Sequence, residues 1–385
     1  MERRRRDRRV LRAHVRPEGP PPHPRRRAGQ PRRRAALSRR RNPPPDREGF
    51  AIGTATENGV VAVAGEALVD LVPAPVGDYL EIAPGGSPAN VALGLARLDV
   101  PTRLLARIAD DPMGRRIREH LSGNGVGLDH AVRATEQTSL AVVTVAPDGG
   151  PSYDFRVDGT ADWQWTEAEV AGALDGDVVA LHSGSLALTT PPGAAVLRGL
   201  LARAAATATI SYDPNCRPLL MGTPAEVLAG AHELLTVADV VKVSAEDLEW
   251  LVPGATHEEV LADWVGRGPA VVAVTLGGDG VLAATSKGLR VHRPGVRVDV
   301  VDTVGAGDTF SAALLAGLHT RGLLGAPARE RLHAIDRATL EAVLDEAVRA
   351  AAITCSRRGA DPPTAAQLYA VENDVAAGSR PENQR

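Results

Sequence analysis

The chain has 385 residues, 44% hydrophobic but only 3% aromatic, enough for one large α/β domain or two ordinary ones with cores of small aliphatic side chains. Its formal charge of −3 conceals an asymmetry, because residues 1–50 hold 18 arginines against five acids while the remainder holds 26 basic and 42 acidic side chains. No apolar run reaches the roughly 18 residues of a membrane span, no signal-peptide core is present, and Cys216 and Cys355 have no paired spacing. These features give no support to a disulfide framework or a zinc site, and they predict a cytoplasmic protein without a membrane partner.

Residues 1–58 are rich in Arg and Pro and too poor in apolar side chains to offset the entropy of ordering, so a disordered extension is expected. Its charge admits a basic arm for nucleic-acid or membrane phosphates, or a targeting peptide. A non-functional extension, or a misassigned upstream start, is the simplest reading. No nucleic-acid partner is expected for the folded part, and residues 367–385 read as a flexible tail.

From residue 59 the pattern changes. Residues 60–65 form a short apolar run ending in Gly, as a buried strand does, and similar runs follow at 178–182, 208–212, 239–243 and 271–275. Helical patterns at 192–206, 223–236 and 256–266 separate them. This rhythm predicts an α/β domain over 59–366, a three-layer and mostly parallel sheet with helices on both faces. Right-handed crossovers would then bring the strand C-termini, and the site, to one edge. Residues 138–146 and 151–157, around Pro147-Asp148-Gly149-Gly150, read instead as a hairpin, with partner strands at 67–72 and 79–82. A small antiparallel β lid from about 67–82 and 130–160 is expected, and it would also suit a homodimer surface.

The segment Asp302-Thr303-Val304-Gly305-Ala306-Gly307-Asp308 follows a strand-like run at 296–301 and precedes an Ala-rich helix at 310–318. A strand, a Gly-rich turn and a helix start put free N–H groups and the positive helix end at one point, which is an anion site. Asp308 in the first turn is either a favourable N-terminal charge or a working carboxylate. A P-loop is excluded, because neither lysine of the chain, Lys242 or Lys287, is followed by Ser or Thr. The His-Arg-Asp and Asp-Phe-Gly elements of protein kinases are missing too.

Together with Gly85-Gly86-Ser87-Pro88-Ala89-Asn90-Val91-Ala92, this segment resembles the two signatures of the ribokinase-like (PfkB) carbohydrate kinases, in the right order and over roughly residues 60–366. The resemblance implies a ribokinase-like fold and ATP-dependent phosphorylation of a hydroxyl. It implies Asp308 as the base and Gly305, Ala306 and Gly307 as the anion hole for the transferring phosphoryl. Asp70, Gly85, Gly86 and Asn90 resemble the floor that binds sugar hydroxyls. On the nucleotide side, Thr275, Gly277, Gly278 and Gly280 resemble the ATP loop. The family's Asn-x-x-Glu element, tied to magnesium and phosphate, falls on Ser244-Ala245-Glu246-Asp247. Here Ser replaces Asn and Asp replaces Glu, leaving Asp247 or Glu246 for Mg²⁺. Arg217, in Asp213-Pro214-Asn215-Cys216-Arg217-Pro218, faces either phosphate or a surface ion pair. Carbonyls around Asp302 and Val304, with the 355–360 loop, would suit K⁺.

Residues 153–163 look most like the fructokinase and 2-keto-3-deoxygluconate kinase branch, with Arg156 as candidate selector. A ketodeoxygluconate carboxylate would want more cationic groups than Arg156 supplies, so fructose is the preferred acceptor. A 2-keto-3-deoxygluconate kinase, a ribokinase, a nucleoside kinase, or a non-catalytic sugar- or nucleotide-binding regulator on the same fold are the alternatives.

Overall fold

Five-residue runs dominated by Val and Ala form strands here because both faces of the sheet are covered, so neither face needs polar side chains. The computed structural model describes residues 59–370, apart from 146–150 and 175. Its strands are β1 (Val60–Ala64), β2 (Leu68–Pro73), β3 (Leu80–Gly85), β4 (Thr102–Leu105), β5 (Arg107–Ala109), β6 (Val132–Ala134) and β7 (Leu140–Val145). They continue with β8 (Pro151–Arg156), β9 (Val178–Gly184), β10 (Thr209–Asp213), β11 (Val240–Ser244), β12 (Val271–Thr275), β13 (Val281–Thr285) and β14 (Arg290–Arg293). The α-helices are α1 (Ser87–Arg97), α2 (Pro112–Gly123), α3 (Glu167–Val170), α4 (Gly193–Ala204) and α5 (Pro224–Leu235). After these come α6 (Ala245–Leu251), α7 (His257–Val265), α8 (Ala306–Thr320), α9 (Arg329–His333) and α10 (Arg337–Cys355).

Eight strands form the main sheet in the order β14-β13-β12-β11-β10-β9-β1-β4. It is parallel from β12 to β4, with β13 and β14 added antiparallel at one edge. Alternation along each strand divides the core. Val61, Val63, Val271 and Ala273 pack with α1, α2, α8 and α10, whereas Ala62, Ala64, Val272 and Val274 pack with α4, α5, α6 and α7. The three layers expected from the sequence are therefore present. α5, α6 and α7 each start with a capping box, Thr223 with Glu226, Ser244 with Asp247 and Thr256 with Glu259. Helix α8 is buried along nearly its whole length between α1 and α10, which explains its Ala- and Leu-rich sequence.

The lid differs from expectation in two respects. Its order is β3-β2-β7-β8, and while β2/β3 and β7/β8 are antiparallel hairpins, β2 and β7 run parallel. Each hairpin leaves the core with its first strand, and the two outgoing strands lie side by side, so the sheet is mixed. Their roots share one buried carboxylate, since Asp162 accepts from the Ala67 N–H just before β2 and from Ser139 Oγ just before β7. The lid is also smaller than 130–160, because β6 pairs with β5 in a separate two-stranded sheet. The turn expected at 147–150 lies outside the described residues, as do residues 1–58.

Two further expectations are corrected. Residues 296–301 form no strand; Val300 and Val301 are 65% and 63% exposed, and the Val301 and Asp302 N–H groups both donate to the Cys355 carbonyl. Valine favours strands when a neighbour offers a ladder, and past β14 the chain leaves the sheet for the end of α10. Residues 365–370 are helical with Leu368 1% exposed, so the fold extends beyond 366 into the expected tail.

Candidate active site

The parallel strands end along one edge, where register sets Ser183 and Leu105 beside Ala64, Gly184 beside Asp213, and Ser244 beside Thr275. Open α/β sheets place ligand sites along this edge. Two helix N-termini open onto it. Gly305 caps α8 in the left-handed region at φ 75°, and a Cβ there would lie 2.5 Å from Ala360 Cβ, so a side chain is excluded on both counts. No described side chain caps α8; the Ala306 N–H donates to the Thr303 carbonyl at 3.2 Å, and the Gly305–Gly307 turn presents the positive end of the helix to an anion. Gly86 caps α1 directly after β3, which joins the lid to the helix that carries Ser87 and Asn90.

Asp308 is 7% exposed, and its carboxylate is held from three directions. Ser87 Oγ donates to Oδ1 at 2.7 Å, Asn215 Nδ2 to Oδ1 at 3.1 Å, and Asn90 Nδ2 to Oδ2 at 2.9 Å. Asn215 Nδ2 also lies 2.6 Å from Ser87 Oγ, closing the cluster. Ser87 and Asn90 are one helical turn apart and so share a face. Asn215 follows β10 at a positive φ of 39°, and its N–H bonds Asp213 Oδ1 at 3.2 Å. The carboxylate is thus oriented by α1 and by the β10 loop, beside the uncapped start of its own helix.

Asp70 rises from the lid strand β2 toward the same place, and a Cβ on Gly85 would lie 2.3 Å from its Oδ2. Burial pushes the Asp70 carboxyl up to about 6; the Arg217 guanidinium opposes this and the Asp308 charge adds to it. Asp70, Gly85, Gly86, Asn90 and Asp308 therefore come together as expected. Arg217 donates to the Asn215 and Cys216 carbonyls, at 3.2 and 2.9 Å. Its charge acts on Asp70 and Glu66, on the lid side of the site. Arg156 is not drawn in: it is exposed on β8 and paired with Asp154 at 2.6 Å.

Of the residues expected to meet nucleotide, Ser244 and Thr275 are register neighbours, and Gly277, Gly278 and Gly280 make the tight turn from β12 to β13. The Ser-x-x-Asp departure from Asn-x-x-Glu proves to be a cap. Ser244 Oγ accepts from the Asp247 N–H at 3.0 Å, and Asp247 accepts from the Ser244 and Cys216 N–H groups at 3.2 and 2.8 Å. Glu246 is exposed on α6. Among the described residues no group of three or more His, Cys, Asp or Glu is placed to hold a metal ion. Asp302 ties two loops together, accepting from Val304 N–H at 3.1 Å and Gly359 N–H at 2.8 Å. Arg358 of that second loop reaches the lid, bonding the Pro73 carbonyl at 3.1 Å and Glu81 at 2.8 Å.

Sequence reasoning missed Ser87, Asn215, Asp213 and Lys242 as site residues. Ser87 stands in the Gly85–Asn90 motif at helical spacing from Asn90, whereas nothing in the Asp213–Pro218 segment marks Asp213 or Asn215 as facing Asp308. Lys242 Nζ lies 3.0 Å from Asp213 Oδ2, and both are buried. Burial works to lower the Lys242 pKa, but the Asp213, Asp247 and Asp308 carboxylates outweigh it and hold the group above the ordinary lysine value, as an ammonium.

The pfkB family carbohydrate kinase model matches residues 59–367. A fructokinase of Rhizobium leguminosarum bv. trifolii is 36% identical over 269 residues, 69% of this chain and 81% of that protein. A fructokinase of Xylella fastidiosa solved with bound ATP superposes with a TM-score of 0.75 at 28% identity, over 82% of this chain and 99% of that one. A Vibrio cholerae O395 fructokinase double mutant holding fructose, ADP and a potassium ion gives 0.69 at 30% identity, over 81% and 98%.

Proposed function

Because this chain belongs to the pfkB family of carbohydrate kinases, we propose that it transfers the terminal phosphoryl group of ATP to a hydroxyl of fructose. The observation that carries this reading is Asp308, held by Ser87, Asn90 and Asn215 at the uncapped start of α8. In the reaction the carboxylate takes the proton of the acceptor hydroxyl, whose oxygen bonds to phosphorus. The bond from phosphorus to the bridging oxygen breaks, leaving ADP. The N–H groups of Gly305, Ala306 and Gly307 meet the charge on the phosphoryl oxygens, a task of positioning and electrostatics. Asp70 and Asn90 grip sugar hydroxyls, since a carboxylate and an amide can each bond neighbouring hydroxyls.

Mg²⁺ enters with the nucleotide and supplies charge neutralisation on its phosphates. Each Asp247 oxygen accepts one backbone N–H, which fixes the carboxylate and leaves a lone pair on each oxygen, so Asp247 could meet the ion directly or through water. The Asp302-bridged loops at 302–304 and 355–360 fit a monovalent cation such as K⁺ through their carbonyl oxygens, and that charge would support the anion hole. Fructose is favoured over an acidic sugar because Arg156 is engaged by Asp154. The relatives that bind or are named for fructose point the same way.

Residence in the cytoplasm accords with ATP as donor, and no helix among the described residues is long and apolar enough to cross a membrane. A homodimer through the lid accords with the exposed Val76, Tyr79 and Leu80 on its β2–β3 hairpin. The deciding experiment is a coupled ADP-release assay with Mg-ATP, with and without K⁺, across fructose, ribose, 2-keto-3-deoxygluconate and nucleosides. Turnover strongest on fructose is expected; no turnover on any acceptor refutes the enzyme reading, and preference for another refutes the sugar.

A further inference from the structure

We propose that Lys242 is a positioning residue for phosphoryl transfer, its ammonium placed behind the anion hole to add positive charge at the start of α8 and to hold Asp213 in place. This rests on the phosphoryl-transfer reading above. The strand β11 reads Val-Val-Lys-Val-Ser, and its Lys242 is 5% exposed among apolar neighbours. An apolar side chain would pack there without desolvating a charge, and a buried ion pair is weak support for stability. The residue type is informative as well. The chain holds 44 basic residues of which Lys242 and Lys287 are the lysines, so Arg is its ordinary cation. Lysine is a compact point charge, where Arg is a wide planar fork.

The geometry shows what that compactness serves. A Cβ on Gly307 would lie 2.8 Å from Lys242 Nζ and 3.7 Å from its Cε, so the glycine leaves room for the ammonium against the first turn of α8. A cation at a helix N-terminus is unfavourable by itself, because the helix already presents positive charge there. Two positive sources therefore converge on the turn, balanced in the free protein by Asp213 and Asp308. An arriving phosphoryl group relieves that convergence.

The same pair also supports the base. Asp213 Oδ2 is approached by Ser311 Oγ at 3.4 Å, one helical turn beyond Asp308. Its Oδ1 accepts from Asn215 N–H, and Asn215 holds Asp308. One ammonium thus links the anion hole to the orientation of the carboxylate.

The test compares wild type with Lys242→Met and with Lys242→Met/Asp213→Asn, which removes both members of the buried ion pair. Both variants are expected to lose about a hundredfold in kcat, the scale of one lost anion-hole donor, with KM for sugar and ATP within about threefold. Calorimetry should find ADP affinity retained while the added affinity for ADP with aluminium fluoride, a mimic of the transferring phosphoryl, is lost. The double variant should recover the Tm that the single variant loses, but not the rate. Recovery of wild-type kcat in the double variant, or equal loss of both nucleotide affinities, overturns the proposal. Should Lys242→Met fail to fold, the double variant carries the comparison. The nucleotide measurements need no turnover, so they remain decisive if the preferred acceptor proves to be another sugar.

Discussion

Replacing Asp308 with Asn exchanges one carboxylate oxygen for an amide and separates the base from its scaffold. If the amide oxygen takes the Oδ1 position, the donors from Ser87 and Asn215 keep their acceptor. The amide nitrogen then faces Asn90 Nδ2, a donor against a donor, which Asn90 relieves by turning its own oxygen inward. The structural loss is thus the charge assistance of these bonds, about 1–2 kcal/mol. For a domain of this size that corresponds to a fall in Tm of about 2–4 °C. Part of it is returned, because removing the Asp308 charge relieves its repulsion of Asp70. The chemical loss is larger, since a positioned general base contributes about 10²–10⁴-fold. Coupled ADP release should therefore show kcat lower by at least about a hundredfold. Differential scanning fluorimetry should show a nearly unchanged melt, and ADP should bind as to wild type. A kcat within about threefold of wild type in a variant that melts normally would remove Asp308 as the base.

Three other outcomes are expected. Asp70 titrates near 6, so the KM for sugar should rise as pH falls through that value, and Asp70→Asn should raise KM at neutral pH and abolish the limb; a limb that persists in the variant refutes the assignment. Glu66 is buried near the lid root with its pKa pushed by burial from the ordinary 4.5 to about 7, so the folded state holds its proton longer than the unfolded chain does. Its contribution to stability is complete below 4.5 and is lost as pH rises through 7, on the order of a few kcal/mol. Urea unfolding from pH 4.5 to 8 should find this slope in wild type and a flatter one in Glu66→Gln; parallel curves would show that Glu66 does not carry it. Finally, Arg358→Ala cuts the link from the lid to the loop beside the anion hole, an exposed ion pair of small worth to stability. It should raise the KM for sugar about two- to fivefold, a shift of the size such a pair can supply, with Tm unchanged. An unaltered KM would mean that the link does not hold the lid.

The places where sequence reasoning failed have a common cause. The run at 296–301 has strand composition, but a strand needs a neighbour, and past β14 the chain meets the end of α10 instead. The capping box that Asp247 closes with Ser244, and its hold on the Cys216 N–H, were likewise not legible from an Asn-x-x-Glu resemblance. Arg156 has the charge expected of a selector, but Asp154 lies two residues away on the same strand face and takes it.

The stretch from Asp302 to Asp308 was legible from the sequence because its chemistry is local. A Gly-rich turn at a helix start presents N–H groups wherever it occurs, and the alternating apolar runs determined the three layers in the same way. What Asp308 can do was decided by the tertiary structure. Ser87 lies 221 residues from it and Asn215 lies 93, and they meet it because the lid strand β3 leads into α1, β10 ends in the Asn215 loop, and the chain past β14 returns to start α8 beside them. Lys242 reads as an anomaly in an apolar strand until Gly307 is seen across from it. Periodicity records which face of an element is buried, and it carries no information about which distant side chain will stand opposite.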